Sequence, residues 1–316
     1  MNMSLFNKQL MVIAGPCSVD EHNIQDIYDI AKIKVVNQFG RKQKAVYGTR
    51  VVGLKSRTSL SLDGKNMGID FKVFMENMNI LVDGKSTKQF KIFPSARMAK
   101  TIIKETGMLI ATEIMSPLIQ LPVFEKHLPK GKLMIWNPAV EQLGWPVLKM
   151  GTYAKRNNWF IGLKNPKWFG DDMVGQTTME KTWIGLSDFT MMKEPGLDEK
   201  IILIHRGVDV YNKGDYRNLP VHQAAKRVKH STRVRLFYDP SHIHGPKLRD
   251  SIVRSTVEAM KIKNDEDQYL YDGILIEVGR SKTDTEQHIT VKELEELCNQ
   301  LAEFRTLLPP DNRLNN

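Results

Sequence analysis

The chain has 316 residues, 41% hydrophobic and 26% charged, with two cysteines far apart in sequence; that balance fits a soluble globular protein with reduced thiols and excludes a disulfide-framework mini-protein. No apolar run approaches the roughly 20 residues that span a bilayer, and MNMSLFNKQ is too short and polar for a secretion signal, so no membrane association is expected and the cytoplasm is the expected compartment. The formal charge of +10 comes without a dense Lys/Arg block or an aromatic-interleaved basic motif, which excludes a nucleic-acid arm and directs attention to small anions.

LMVIAG, from residue 10, predicts a first strand that breaks at Gly15 and Pro16 and delivers Cys17. A helix follows, with Ser18 and Glu21 spaced as a capping box and Ile24, Ile27, Tyr28 and Ala31 on one stripe. AVYGTRV predicts the second strand, and a surplus stretch over 60–92 comes after it. PSARMAKTIIKETG reads as a helix, then MLIATEI, KLMIWN and FIGLKN as strands three to five. A second surplus stretch, 167–199, contains GDDMVGQTTMEKT; both stretches are polar and contain glycine, which predicts mobile covering loops. IILIHR, VRLFYD and GILIEVG complete eight strands, with LRDSIVRSTVEAMKIK as a helix before the last. The final helix follows Thr290, with Glu293 in capping-box relation, and aligns Leu294, Leu297, Cys298, Leu301 and Phe304, which makes Cys298 a core residue.

Strands apolar on both faces and separated by helices are what a buried parallel sheet requires. Eight of them, in a chain of about 250 residues plus insertions, predict a (β/α)8 TIM barrel; the rival is a doubly wound open sheet. Residues 1–308 form one catalytic domain on this reading and 309–316 a disordered tail. The long loops follow strands 2 and 5 and so belong to the C-terminal face, where catalytic loops are built.

The residues at the strand ends are chemically selective: Cys17; Arg50, with Lys55, Arg57 and Thr58 beyond it; Glu113; Asn137; Lys164; Arg206; His242; and Glu277. A barrel would gather them around one mouth. Cys17, His242 and Glu277, joined by Asp239 or Asp284, offer thiolate, imidazole and carboxylate to one divalent transition metal ion, Mn, Fe, Co or Zn. Arg50, Lys55, Arg57, Lys164 and Arg206 would repel one another in a low-dielectric mouth unless anions fill it, and arginine's planar fork suits phosphate and carboxylate. A multiply anionic ligand, or two phosphorylated ones, is implied.

AGPCSV, RVVGLKSRTS, ATEIMSP, IGLKNP, IHRG, YDPSH and IEV followed by TDTEQHIT stand in the order and at roughly the spacing of the class I 3-deoxy-D-arabino-heptulosonate-7-phosphate (DAHP) synthases and the related 3-deoxy-octulosonate-8-phosphate synthases. The chain resembles that family from about residue 9 to 305. The resemblance implies a TIM barrel that condenses phosphoenolpyruvate with a phosphorylated aldose and releases phosphate, working as a homo-oligomer, dimer or tetramer. It implies that Cys17, His242, Glu277 and Asp284 bind the metal, and that Arg50, Lys55, Lys164 and Arg206 hold phosphoenolpyruvate. Arg57 and Thr58 would hold the aldose phosphate, and KSRTS favours the heptulosonate branch and erythrose 4-phosphate, hence the first step of the shikimate pathway to aromatic amino acids. Lys164 would stabilise charge or donate a proton beside carbon 2, and Glu113 would orient a water.

The pattern is broken in two places. Where the family reads Gly-Ala-Arg after the fourth strand, this chain has Asn137, which can hydrogen-bond a substrate but brings no charge; Lys65 or Lys167 would compensate from the covering loops. Ser56 replaces the proline of the aldose-phosphate segment. These departures leave two further readings: a related synthase using another phosphorylated aldose, as in the octulosonate branch, and a catalytically impaired binding or regulatory homologue.

Overall fold

Gln9–Gly15 (β1) is buried at every position but the first, because both its faces are covered: Leu10, Val12 and Ala14 face the helical layer, Met11 and Ile13 the barrel interior. The computed structural model describes residues 9–55, 67–167, 173–280 and 286–310, with no side chain described over 173–176. A short antiparallel hairpin, Lys34–Val36 (β2) and Lys42–Lys44 (β3), precedes Gly48–Arg50 (β4). Then come Leu109–Glu113 (β5), Leu133–Trp136 (β6), Phe160–Lys164 (β7), Ile201–His205 (β8), Arg235–Tyr238 (β9) and Gly273–Glu277 (β10). Strand β1 and strands β4 to β10 pair in parallel, each with its chain-order neighbour, and β10 returns to β1 in a register from Met11↔Gly273 to Gly15↔Glu277. The sheet is closed, a (β/α)8 barrel, and the open-sheet alternative is excluded. Its eight strands coincide with the eight apolar runs.

The interior of the barrel is filled by residues such as Met134, Trp136, Ile202, Ile204, Phe237 and Leu275, and a larger apolar layer lies between strands and helices. Helix Pro94–Thr106 starts with proline at its first turn and ends on Gly107 at φ 73°, a left-handed cap that glycine adopts without strain. Among the described residues no helix is long and apolar enough to cross a membrane. Thr306–Leu307 (β11) pairs with the start of β1, and Gln38 and Gln43 of the hairpin segment donate to Thr306 Oγ1 and the Leu307 carbonyl, so hairpin and chain end together cover the face opposite the mouth.

Several local expectations are corrected. The first helix begins at Ile24 rather than after Ser18; Asp20 Oδ1 accepts from the N–H groups of His22 and Asn23, and Asn23 donates to the Ser18 carbonyl, so a turn occupies the place of the Ser18–Glu21 box. The Thr290–Glu293 box is formed as expected. The stretch over 167–199 is mostly one 21-residue helix, Met173–Lys193, whose Met179, Trp183 and Leu186 are buried at helical spacing. The stretch over 60–92 contains helix Phe71–Val82. Of the expected tail over 309–316, Pro309 is exposed and Pro310 buried, and 311–316 lie outside the described residues.

One buried carboxyl sits at the base of the segment after β4. Asp70, 1% exposed, accepts from the Ser95 backbone N–H at 2.9 Å and from the Ser95 hydroxyl, and its own N–H donates to the Gly53 carbonyl. A Cβ on Gly53 would fall 2.1 Å from Asp70 Oδ2, so only glycine lets the two approach. Burial lifts the Asp70 carboxyl to about 6, against the pull of the Ser95 bonds. The folded state therefore prefers the protonated form: its stabilisation is complete below the ordinary carboxylate range and is lost as pH rises through about 6. Asp70→Asn keeps both Ser95 contacts without the charge. It is expected to be more stable than the wild type at pH 8, by about 2 to 3 kcal/mol, and equal to it at pH 4; an identical gap at both values in urea melts would refute the assignment.

Candidate active site

Every strand-end residue singled out in the sequence that lies among the described residues is brought to the C-terminal mouth of the barrel. Cys17 follows β1 and is buried, as are Arg50 at the end of β4, Glu113 on β5, Lys164 on β7, Arg206 after β8 and Glu277 on β10. Arg57, Thr58 and Asp284 lie outside the described residues, as do Ser56 and Lys65.

Glu277 is fully buried, and its charge is met on both oxygens. Arg50 Nη2 donates to Oε1 at 2.9 Å, Gln287 Nε2 to Oε2 at 2.7 Å, and the Glu277 N–H donates to Ser241 Oγ. Burial alone would raise this carboxyl; Arg50, then His242 and Lys55, outweigh it and hold the group well below the usual carboxylate range. His242 stands on the short helix Pro240–His244. Its Nδ1 lies 3.0 and 2.8 Å from the two oxygens of Asp239, and its Nε2 lies 3.8 Å from Glu277 Oε1, too far for a hydrogen bond. With Asp239 ionised, Nδ1 carries the proton and Nε2 turns a lone pair towards Glu277, the arrangement in which a metal-binding imidazole is oriented by a carboxylate. Burial raises the Cys17 thiol and the Glu277 charge adds to it, opposed by Lys55 and Arg50.

Among the described residues no three His, Cys, Asp or Glu side chains already close around a point that would hold a metal ion. The donor types nevertheless fit one. Two lone-pair donors, His242 Nε2 and Glu277 Oε1, face each other without a bond between them, and the Cys17 thiol is within electrostatic reach of that carboxylate.

The cations surround this set. Arg50, 2% exposed, also donates from Nε to the Pro16 carbonyl, and its guanidinium carbon lies 5.6 Å from the centre of the Trp136 ring. Lys164 Nζ lies 5.3 Å from the same ring and 2.8 Å from Glu113 Oε1. Burial would lift Glu113, but the charges of Lys164 and Lys55 bring it down to about 2; burial lowers Lys164 against the pull of Glu113 and Asp239. The indole face lets two buried cations share one electron-rich surface.

Arg206 is different. Its backbone N–H donates to Asn165 Oδ1, but the guanidinium Nε and Nη1, buried in a residue only 4% exposed, have no hydrogen-bond partner among the described residues. Burial lowers this guanidinium to about 10, with Asp239 attracting it and Arg217 repelling it. Unmet guanidinium donors at the mouth of a barrel are a site for anionic oxygens.

Asn137 is buried and engaged with backbone: Oδ1 accepts from the Lys164 N–H at 2.9 Å, and Nδ2 donates to the Glu141 carbonyl at 2.7 Å. Lys167 lies 3.7 Å from Asp209. Trp136, Asn165, Arg217 and Gln287 carry no role in the sequence reading although the site is built around them. Gln287 falls inside TDTEQHIT, and Trp136 precedes Asn137 at the strand end, the only signals that pointed to either.

No protein-family model and no curated protein sequence matches the chain. Solved structures do match, and the class they define is the closed (β/α)8 barrel. A crystal structure of phospho-2-dehydro-3-deoxyheptonate aldolase (DAHP synthase) from Thermotoga maritima aligns at a TM-score of 0.66 with 19% identity, over 96% of this chain and 72% of that one. A truncated form of the DAHP synthase from Thermotoga maritima aligns at 0.64 with 17% identity, over 96% and 90%. The fold is thus shared with enzymes of the family that the sequence motifs resemble.

Proposed function

We propose that this protein is a metal-dependent synthase that condenses phosphoenolpyruvate with erythrose 4-phosphate and releases phosphate. The observation that carries the reading is Arg206, a buried guanidinium with two unmet donors, within electrostatic reach of Lys164 at the barrel mouth. Arg50 and Lys164 are paired with Glu277 and Glu113, whereas the two unmet donors of Arg206 call for anionic oxygens from a ligand. Phosphoenolpyruvate offers a carboxylate and a phosphate, and the resemblance of the sequence and the fold to DAHP synthases supports that choice.

A divalent ion, Mn, Fe, Co or Zn, held by Cys17, His242, Glu277 and Asp284, would supply Lewis acidity to the aldehyde carbonyl. The protein's own residues do the rest. Arg206 takes phosphate oxygens and Lys164 and Lys55 take the carboxylate, so that the anionic charge of phosphoenolpyruvate is offset beside the second substrate. Lys164, lowered by burial, donates a proton or stabilises charge beside carbon 2 as carbon 3 attacks the aldehyde. Glu113, ionised at neutral pH, accepts from the water that adds at carbon 2. Bond formation between carbon 3 and the aldehyde carbon, followed by water addition and C–O cleavage, releases the phosphate. Arg57 and Thr58 hold the aldose phosphate.

Because Asn137 spends its side chain on backbone groups, the phosphate subsite lacks one charge of the family pattern, which keeps a related synthase with a different acceptor as the second reading. The deciding assay is phosphate release with phosphoenolpyruvate, a divalent metal and a panel of four- and five-carbon aldose phosphates. Fastest turnover with erythrose 4-phosphate is expected. Preference for a five-carbon acceptor selects the second reading, and no turnover with any acceptor refutes both.

A further inference from the structure

Glu277 carries a charge in a fully buried setting, and its two oxygens are held differently. Oε1 receives Arg50 and faces His242 Nε2; Oε2 receives the Gln287 amide at 2.7 Å. Gln287 is itself fully buried. A primary amide binds a carboxylate only through its NH2 end, so the amide must be kept the right way round. Arg217 does this: its Nη1 donates to Gln287 Oε1, and a guanidinium has no acceptor, so the amide oxygen turns to Arg217 and the NH2 to Glu277. Arg217 is fixed in turn on the segment after β8, where its N–H donates to the His244 carbonyl and that of Asn218 to the Ile243 carbonyl. Segments 70 residues apart thereby form one chain from Arg217 through Gln287 to Glu277.

We infer that Gln287 is a positioning residue, oriented by Arg217, that occupies Oε2 of Glu277 and so presents Oε1 alone on the side of His242 Nε2 and Cys17. The inference rests on the proposed metal-dependent function and adds the residues that fix how the ligand carboxylate is turned. Glutamate at 287 would set a second negative charge against Glu277, and leucine would leave Oε2 buried without its partner. Neither Gln287 nor Arg217 touches the reacting atoms on this reading, so their loss acts through metal binding rather than through substrate.

The experiment uses the full chain, with Mn2+ and Co2+ as probes. Metal affinity is measured by equilibrium dialysis for the wild type, Gln287→Leu, Gln287→Glu and Arg217→Gln, and cobalt–thiolate absorption reports whether Cys17 takes part. In parallel, kcat and the KM for phosphoenolpyruvate are followed against metal concentration. Gln287→Leu is expected to weaken metal binding about 10- to 100-fold, with KM moving less than about threefold and kcat recovering as metal saturates. Gln287→Glu is expected to be weaker still, and Arg217→Gln to fall between wild type and Gln287→Leu. Wild-type metal affinity in a folded Gln287→Leu protein overturns the inference; if that variant does not fold, wild-type affinity in Arg217→Gln does so. A wild type that binds neither ion overturns the inference together with the metal-dependent function, whereas a metal-binding wild type with unaffected variants overturns the inference alone.

Discussion

Arg206→Met is expected to make the ligand-free protein more stable and to weaken its use of phosphoenolpyruvate severely. The wild-type guanidinium is buried with Nε and Nη1 unmet, and burial has brought it down to about 10, so it costs the folded state free energy wherever no anion is bound. Methionine has a comparable reach, no donors and an adaptable thioether that packs in apolar gaps. Replacing the arginine should therefore add about 1 to 2 kcal/mol of stability. On the proposed assignment the same change deletes two charge-assisted hydrogen bonds to the substrate phosphate. At about 1.5 to 3 kcal/mol each, kcat/KM for phosphoenolpyruvate should fall roughly 100-fold or more, mostly through KM. Thermal melts and steady-state phosphate release read the two effects separately. A variant that is less stable and binds phosphoenolpyruvate normally would make Arg206 a structural cation and remove the anion site from the mouth.

The second large effect concerns the buried pair Glu113–Lys164, whose charged atoms lie 2.8 Å apart. Glu113→Ala leaves the Lys164 ammonium buried without its carboxylate and should cost about 3 to 5 kcal/mol. The double variant Glu113→Leu, Lys164→Met removes both charges and keeps the volume, so its stability should return to within about 1 kcal/mol of the wild type. It should remain inactive, because the loss of chemistry is not repaired by the gain in packing. The pair also sets an acid limit. Glu113 is held at about 2, below the ordinary carboxylate range, so its contribution is present above that range and lost as pH falls through it towards 2. Urea melts of the double variant should accordingly lose less stability between pH 5 and pH 2 than those of the wild type. Equal stability of Glu113→Ala and the wild type would mean that the pair does not hold the mouth together.

The barrel was legible because parallel strands buried on both sides leave runs such as IILIH and GILIE, with no polar face to disguise them. What escaped is what lacks that signature. The hairpin strands are three residues long and rich in lysine, and helix Met173–Lys193 spreads its apolar residues around all sides, so that no amphipathic stripe marks it. The convergence of Cys17, Arg50, Glu113, Lys164, Arg206, His242 and Glu277 at one candidate site could be expected because a barrel turns strand ends into neighbours. Their pairings could not. That Arg50 meets Glu277, that Asn137 ties the Lys164 N–H to the Glu141 carbonyl, and that Gln287 braces Glu277 depend on contacts 227, 27 and 10 residues apart, which no local pattern encodes. Asp70 is similarly silent: its neighbour Ser95 makes sense of it only once the chain has folded.

The ion pair between Arg50 and Glu277 has one more consequence. On the proposed assignment each partner is wanted elsewhere, the guanidinium by a substrate anion and the carboxylate by a cation, and the pair as it stands keeps both occupied. A ligand that draws one partner out of the pair frees the other for the second ligand. The two affinities then multiply, and by thermodynamic necessity each ligand tightens the other by the same factor. The pair thus favours the state loaded with both ligands over either half-loaded one.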